Sequence, residues 1–198
     1  MPATNSATRQ RALTTPDLVL LSLLAERPLH GYQANLELQR RQVQDWAGVS
    51  RPQVYYSLEK LARLGLVRDS VSDEPAAGPE RSVFATTAKG RAALADALER
   101  ADWTNQREHP PFLTWIALSW QARSGVFEQQ LRRRQAFLEK ELSREQATLK
   151  SIREEVGHRF HEAVWMVSLM IAQFQAELRW LRKLSRELHR RAPARHPQ

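Results

Sequence analysis

The chain has 198 residues and a formal net charge of +8 at pH 7, and 42% of its residues are hydrophobic. This length allows one or two small domains with apolar cores. Because the chain contains no cysteine, disulfides, thiolate nucleophiles, iron–sulfur clusters and Cys-ligated zinc are excluded. Its longest mainly apolar run, 163–172, has about half of the ~20 residues that cross a bilayer. Residues 1–14 contain no apolar signal core, so we expect a cytoplasmic protein.

Two helices are expected before residue 42. The first, about 16–26, begins at Thr15-Pro16-Asp17, where Thr caps the helix, Pro lacks an N–H and Asp favours the positive end of the dipole. It ends before Pro28, which disfavours helix in the preceding residue. A short second helix follows His30-Gly31-Tyr32, and its predicted apolar residues are Tyr32, Leu36 and Leu38.

The third helix, about 51–64, has the clearest start signal. Ser50 and Gln53 form a capping box, in which each side chain pairs with the other residue's backbone N–H. Gly65 provides a left-handed end. Between these signals, apolar residues recur at helical spacing at Val54, Leu58, Leu61 and Leu64.

A β-hairpin and a fourth helix are expected next. Residues 66–71 and 82–86 have strand patterns, and the Pro-, Gly- and Asp-rich segment 72–80 connects them. Thr87 then caps a helix that runs toward Trp103.

The second half of the chain is expected to be helical. A short apolar helix spans Phe112 to Ala122, a long charged helix runs from Phe127 to Val156 and ends at Gly157, and a final helix covers about 158–190. Polar residues with Pro110-Pro111 indicate a linker before them. The predicted organisation is a flexible arm over 1–14, a first domain over 15–104, a linker over 105–111, a helical domain over 112–190 and a disordered tail over 191–198.

The final helix carries a 4-3-4-3 apolar repeat that begins at Phe160 and lasts four heptads. Such a repeat is typical of an antiparallel helix pair or of a dimer interface. Further apolar residues widen this face, so we expect the helix to pack both on the preceding helix and on a second subunit. The predicted dimer interface consists of Val164, Val167, Ile171, Phe174, Leu178 and Leu181.

Two helices, a capped helix and a hairpin, in this order, are typical of a winged helix-turn-helix, whose third helix enters the DNA major groove. The predicted fold is therefore mainly α: a winged helix-turn-helix domain with a two-stranded wing, followed by an all-helical dimerisation domain. The chain also resembles the PadR family of transcriptional regulators over essentially its whole length. The matching residues are Pro28-Leu29-His30-Gly31-Tyr32, Gly48-Val49-Ser50, Tyr55, Leu58, Leu61, Gly65-Leu66-Val67, Gly78, Arg81 and Thr86-Thr87-Ala88-Lys89-Gly90-Arg91.

The resemblance implies a cytoplasmic homodimer, usually a repressor, whose C-terminal helices form the interface and whose operator is an inverted repeat. Some family members sense phenolics or drugs, which implies a small effector as a further partner. This chain has Arg51-Pro52 after the serine and Tyr56 where proline is common. The operator sequence of other members is therefore not transferable.

The candidate DNA contacts lie on the third helix, the second helix and the wing. Arg51 suits guanine and Gln53 suits adenine, although Gln53 has the alternative role of a capping residue only. Tyr55 and Lys60 suit phosphates, with packing in the core as the alternative for one tyrosine of the pair, and Arg81 suits a phosphate or the minor groove. His30 is expected to pack locally. The candidates are Ser50, Arg51, Gln53, Tyr55, Tyr56, Lys60, Arg81 and Tyr32.

Aromatic and methionine residues of the helical half indicate a pocket for a flat apolar effector, with a plain packed core as the alternative. The candidates are Trp115, Trp120, Trp165, Met166, Met170 and Phe174.

No cofactor, metal or enzymatic activity is expected. Glu154, His158, His161 and Glu162 lie at helical spacings, but Gly157 interrupts the helix, and a solvated surface is the favoured interpretation. The chain contains no Gly-rich phosphate loop, nucleophile elbow or His–Glu metal motif. Three hypotheses remain. The first is a dimeric repressor released from double-stranded operator DNA by a small, aromatic effector, and the second is a helical scaffold whose winged domain binds proteins without specific DNA binding. The third is an effector-free constitutive DNA binder, which differs from the first only in lacking release by a ligand.

Overall fold

A computed structural model describes residues 13–71 and 82–190 of the chain. The chain divides into two compact units, Met1–Arg107 and Glu108–Gln198, called here the winged unit and the helical unit. Their boundary falls within the predicted linker, 105–111. Most of the predicted arm, the tip of the wing with Gly78 and Arg81, and the predicted tail lie outside the described residues.

Four helices form the first part of the winged unit: α1 Thr15–Glu26, α2 Gly31–Arg40, α3 Val43–Ala47 and α4 Arg51–Arg63. Helix α3 was missed from the sequence. It begins after Gln42 and ends at Gly48, both of which have left-handed backbone angles. A left-handed glutamine carries no start signal in a sequence, because this conformation is uncommon for residues with a side chain.

The predicted apolar face of α2 was partly wrong. Leu38 is buried, whereas Tyr32 and Leu36 are exposed. The buried face is formed instead by Gly31, Ala34, Asn35 and Leu38. This face packs on α4, where a Cβ built at Gly31 would be in ordinary van der Waals contact with Cε1 of Tyr55, at 3.4 Å.

The hairpin consists of β2 Val67–Val71 and β3 Ser82–Thr86, paired antiparallel from Val67–Thr86 to Val71–Ser82. This hairpin is the predicted two-stranded wing, and a third strand that the sequence did not predict, β1 Leu29–His30, pairs with β3 and gives the sheet order β1-β3-β2. A strand of two residues is too short to show the alternating pattern by which strands are predicted.

Leucines from α1 and apolar residues of α4 form the centre of the winged core, and the sheet packs beside them. Thr86 of β3 donates a hydrogen bond from Oγ1 to the backbone oxygen of Leu21 at 2.8 Å. Helix α5, Ala88–Leu98, follows with Thr87 as its cap, and Gly90 comes so close to the sheet that a Cβ would lie 2.0 Å from the oxygen of Leu66. The predicted extension of this helix toward Trp103 is a separate short helix, α6 Asp102–Asn105.

The helical unit consists of α7 Pro111–Leu118, a 3-10 turn Ser119–Gln121, α8 Val126–Val156, α9 Glu162–Glu187 and a terminal 3-10 turn Leu188–Arg190. The final helix therefore starts four residues later than the predicted position 158. Gly157 is left-handed, and His161 caps α9 by accepting a hydrogen bond from the N–H of Ala163. Phe160 consequently precedes the helix and is exposed.

The 4-3-4-3 repeat of α9 packs along α8 of the same chain. Val164, Val167, Leu178 and Leu181 are buried without a second subunit, and Ile171 and Phe174 are partly buried. Leu178 and Leu181 share one core cluster with Phe127, Leu131 and Leu138 of α8. The six predicted interface residues therefore form the seam of an antiparallel helix pair, and the assignment of the four buried residues to a surface between subunits was wrong. A repeat alone cannot distinguish these two partners.

Candidate nucleic-acid interface

Helix α4 has one buried face and one exposed face. Val54, Ser57, Leu58 and Leu61 face the core of the winged unit. Arg51, Gln53 and Tyr56 are exposed. The structure therefore places three of the predicted DNA contacts on the outer surface of a helix whose inner surface holds it in position.

The first turn of α4 is organised by the capping box. The backbone N–H of Ser50 donates to Oε1 of Gln53 at 2.8 Å, and the Ser50 hydroxyl donates to the same oxygen at 2.9 Å. Pro52 lies in this turn, where its missing N–H has no cost. These bonds give the side chain of Gln53 a capping role, although the residue as a whole is exposed.

The two tyrosines of the pair differ in their environment. Tyr55 is partly buried, and its ring lies beneath the guanidinium of Arg51, with 5.9 Å from Cζ to the ring centroid. Tyr56 is exposed. Arg51 makes no ion pair within the described residues, so its charge is available to an anionic partner.

Lys60 lies on the inner side of α4 and is paired. Its Nζ is 2.5 Å from Oδ2 of Asp17, and only 13% of the Lys60 side chain is accessible. The same oxygen accepts hydrogen bonds from the N–H and the hydroxyl of Thr14, at 2.7 and 2.8 Å. The role predicted for Lys60 as a phosphate contact was therefore wrong, because its ammonium group is committed to a buried carboxylate.

Asp17 itself is completely buried in the first turn of α1. Burial raises the pKa of its carboxyl, but hydrogen bonds from Lys60, Thr14 and Ser57 outweigh this effect and hold the pKa below its usual value. Asp17 was predicted only to favour the helix dipole. No local signal connects it with Lys60, which lies 43 residues away.

His30 and Tyr32 connect α2 with the wing. The rings of His30 and Tyr32 are stacked with 5.9 Å between their centroids. Nδ1 of His30 lies 3.2 Å from the backbone oxygen of Ser82, the residue after Arg81. His30 thus packs locally as expected, and the exposed ring of Tyr32 lies beside it.

The predicted effector residues do not form one pocket in the chain. Trp115 stacks on Phe112 and Phe127, at 5.6 and 5.4 Å between centroids. Trp165 is exposed on α9, roughly 14 Å along the helix axis from Phe174 at 1.5 Å per residue. Trp120 is also exposed, and Met166, Met170 and Phe174 are partly buried.

A mainly apolar groove of about 320 Å³ lies instead in the winged unit, beside α1. Trp46 and Trp103 border it, and their indole N–H groups donate to the backbone oxygens of Arg41 and Ala97. Because these polar atoms are satisfied, the two rings present apolar faces. The groove was missed because its walls come from five helices; it is also lined by Leu18, Val19, Leu23, Leu94 and Leu98.

The described residues, 13–71 and 82–190, contain no group of three or more His, Asp or Glu side chains that could hold a metal ion. None of their helices is both long enough and apolar enough to span a membrane.

Comparisons with known proteins agree with this geometry. Residues 20–96 match the Transcriptional regulator PadR-like family. The fold resembles that of smu.1604c from Streptococcus mutans UA159, with a TM-score of 0.67 and 20% identity, over 86% of this chain and 98% of that chain. No significant match was found among curated proteins.

Two structures of Bacillus subtilis PadR are also similar. The one in complex with operator DNA has a TM-score of 0.66 and 19% identity, over 85% of this chain and 96% of that chain. The one in complex with p-coumaric acid has a TM-score of 0.62 and 20% identity, over 86% and 96%. The family match thus places residues 20–96 of the winged unit in the PadR-like family of transcriptional regulators.

Proposed function

We propose that this transcriptional regulator is a homodimeric repressor that binds an inverted-repeat operator through α4. The observation that carries the proposal is the outer face of α4, where Arg51, Gln53 and Tyr56 are exposed while the inner face is buried. The similarity to a PadR that was solved with operator DNA supports it. The proposal includes action in the cytoplasm, where a regulator would meet its operator.

Each exposed group has a role that follows from its chemistry. Arg51 donates to guanine in the major groove. The hydroxyl groups of Tyr32, Tyr55 and Tyr56 donate to phosphates and fix the register of the helix on the duplex, whereas the single hydroxyl hydrogen of Ser50 is directed to Gln53. Arg81, which lies outside the described residues, would contact a phosphate or the minor groove from the wing.

The second subunit would cover the outer side of α9. Trp165, Leu169 and Trp180 are 54%, 60% and 44% exposed, and together with Ala172 and Ala176 they follow helical spacing. Exposed apolar surfaces of this kind mark interaction sites. A two-fold axis through this stripe would give the dimer two copies of α4, one for each half-site of a palindrome.

The effector would bind the apolar groove of the winged unit. The groove contains one charged lining residue, Arg41, which already pairs with Glu26 and Glu37. A flat aromatic compound suits the exposed faces of Trp46 and Trp103. The similar Bacillus subtilis PadR with p-coumaric acid makes this compound the first probe, which we expect to quench the fluorescence of these tryptophans and to lower DNA affinity.

Fluorescence anisotropy with DNA from immediately upstream of the gene, and with a shuffled duplex, tests the proposal at two salt concentrations. We expect tight binding to the upstream fragment and a loss of roughly tenfold or more in Arg51→Ala, since a good bidentate base contact contributes about 1–3 kcal/mol. Arg123→Ala, which changes an exposed arginine of the helical unit, is the matched control and should bind normally. Equal, weak binding to both duplexes that disappears with salt would favour the scaffold function instead.

A further inference from the structure

We infer that Gln53 selects guanine and not adenine, because its side-chain oxygen is already used inside the protein. This inference rests on the proposed DNA binding by α4 and specifies the operator that α4 recognises. It corrects the expectation from residue type alone, in which glutamine forms a bidentate pair with adenine.

The orientation of the Gln53 amide follows from its partner. The atom 2.8 Å from the backbone nitrogen of Ser50 must be an acceptor, because a backbone N–H can only donate. That atom is therefore Oε1, and exchanging the amide oxygen and nitrogen would place two donors against each other. The Ser50 hydroxyl, at 2.9 Å, donates to the same oxygen.

Two donors occupy both lone pairs of a carbonyl oxygen. An adenine pair needs this oxygen to accept from N6 while the amide nitrogen donates to N7. Gln53 could form that pair only by leaving the N–H of Ser50 without its partner at the start of α4, where backbone donors have no helical acceptor. The capping box and the adenine pair are therefore mutually exclusive.

The amide nitrogen of Gln53 still carries two donors, and the residue lies on the exposed face of α4. Guanine presents two acceptors in the major groove, N7 and O6, whereas adenine presents only N7. The guanidinium of Arg51 likewise contains only hydrogen-bond donors and no acceptor atom. It makes no ion pair within the residues that the structure describes. The first turn of α4 thus presents only donors, and each half-site should contain guanine at both positions that these side chains reach.

Selection from random duplexes with the full-length protein at one salt concentration tests this assignment. The wild-type chain is compared with Gln53→Glu, in which a carboxylate still accepts both bonds from Ser50 while its outer oxygen becomes an acceptor. Gln129→Glu makes the same change at an exposed position of α8 and is the matched control. Melting curves of the three proteins should coincide.

We expect the preferred base at one position of each half-site to change in Gln53→Glu but not in the Gln129→Glu control. At this position the wild type should prefer guanine over adenine by roughly fivefold or more, and Gln53→Glu should prefer cytosine, whose N4 donates to a carboxylate. Preference for adenine in the wild type would overturn the inference, since the capping box would then open on DNA. A selection that Gln53→Glu leaves unchanged would also overturn it.

If the proposed DNA binding by α4 is itself wrong, the selection gives a result different from both of the contradicting outcomes above. A wild-type protein that enriches no sequence at any position would overturn DNA recognition by α4, and the assignment of Gln53 would fall with it.

Discussion

The winged and helical units bury their apolar residues to different extents. Helix α1 has five buried leucines in 12 residues, and α4, α5 and β3 pack around it. Helix α9 is longer but buries only four residues of 26, and α7 buries none. The winged unit thus has the larger buried core, whereas α9 of the helical unit leaves an apolar surface exposed, which a second subunit would cover under the proposed function. Under the same proposal, the winged unit recognises DNA and the helical unit assembles the dimer.

The core of the winged unit should be the most sensitive to truncation. Leu61 of α4 is completely buried, so Leu61→Ala should lower the free energy of unfolding by about 2–5 kcal/mol. Chemical denaturation of the winged unit measures this loss. Leu64→Ala, at the partly exposed end of the same helix, should cost much less, and equal losses would contradict the division between buried and exposed faces of α4.

The buried ion pair should come next in effect. Asp17→Asn leaves the ammonium of Lys60 without its carboxylate, and we expect a loss of about 2–3 kcal/mol, below the cost of breaking a fully buried pair because Lys60 is slightly accessible. Thermal unfolding of the wild type and of Asp17→Asn measures this loss of stability.

The double variant Asp17→Asn/Lys60→Met should recover most of this stability, because no unpaired charge remains. In DNA titrations, Lys60→Met should leave the dependence of affinity on salt unchanged, since Lys60 contacts no phosphate. A slope lower by about 1 would restore Lys60 as a phosphate contact.

The outer stripe of α9 offers a test of assembly. Leu169→Glu places a charge on an apolar surface that we propose to be covered, and should raise the dimer dissociation constant roughly tenfold or more. Sedimentation velocity measures the change. Gln173→Glu, on the same helix at an exposed polar position, should remain dimeric, and a dimeric Leu169→Glu would place the interface elsewhere.

The smallest effect on stability should come from the charged cluster at the end of α2, in which Glu37 pairs with Arg40 and Arg41. Hydrogen bonds from Arg40 and then Arg41 lower the pKa of Glu37 to about 2. A carboxyl whose pKa is lower in the folded state than in the unfolded state adds to the free energy of unfolding at any pH above its unfolded pKa. For Glu37 this contribution is lost as pH falls from about 4.5 toward 2. We expect less than about 1 kcal/mol, because the Arg40 side chain, the strongest partner of Glu37, is 55% exposed and solvent screens the pair.

Unfolding between pH 6 and pH 2.5 measures this contribution. Glu37→Gln should be less stable than the wild type at pH 6 and should approach it as the pH falls. A constant difference across this range would contradict the ionised role of Glu37.

The element pattern was predictable where short-range signals agree. The capping box of Ser50 and Gln53 and the left-handed Gly65 mark α4, and Gly157 marks the end of α8. Elements without such signals were missed, as with α3 after Gln42 and the two-residue β1. The candidate site was less predictable, because residue type indicates what Lys60 and Gln53 can bind but not which groups already occupy them.

The sequence by itself determined most of the longer helices, the hairpin and the first turn of α4, because caps, turn residues and apolar periodicity act within a few positions along the chain. Only the tertiary structure decided which partner each surface meets. It paired the α9 seam with α8, joined Asp17 to Lys60, and gathered Trp46 and Trp103 around one groove. Such pairings depend on distances between residues far apart in the chain, which local propensity does not encode.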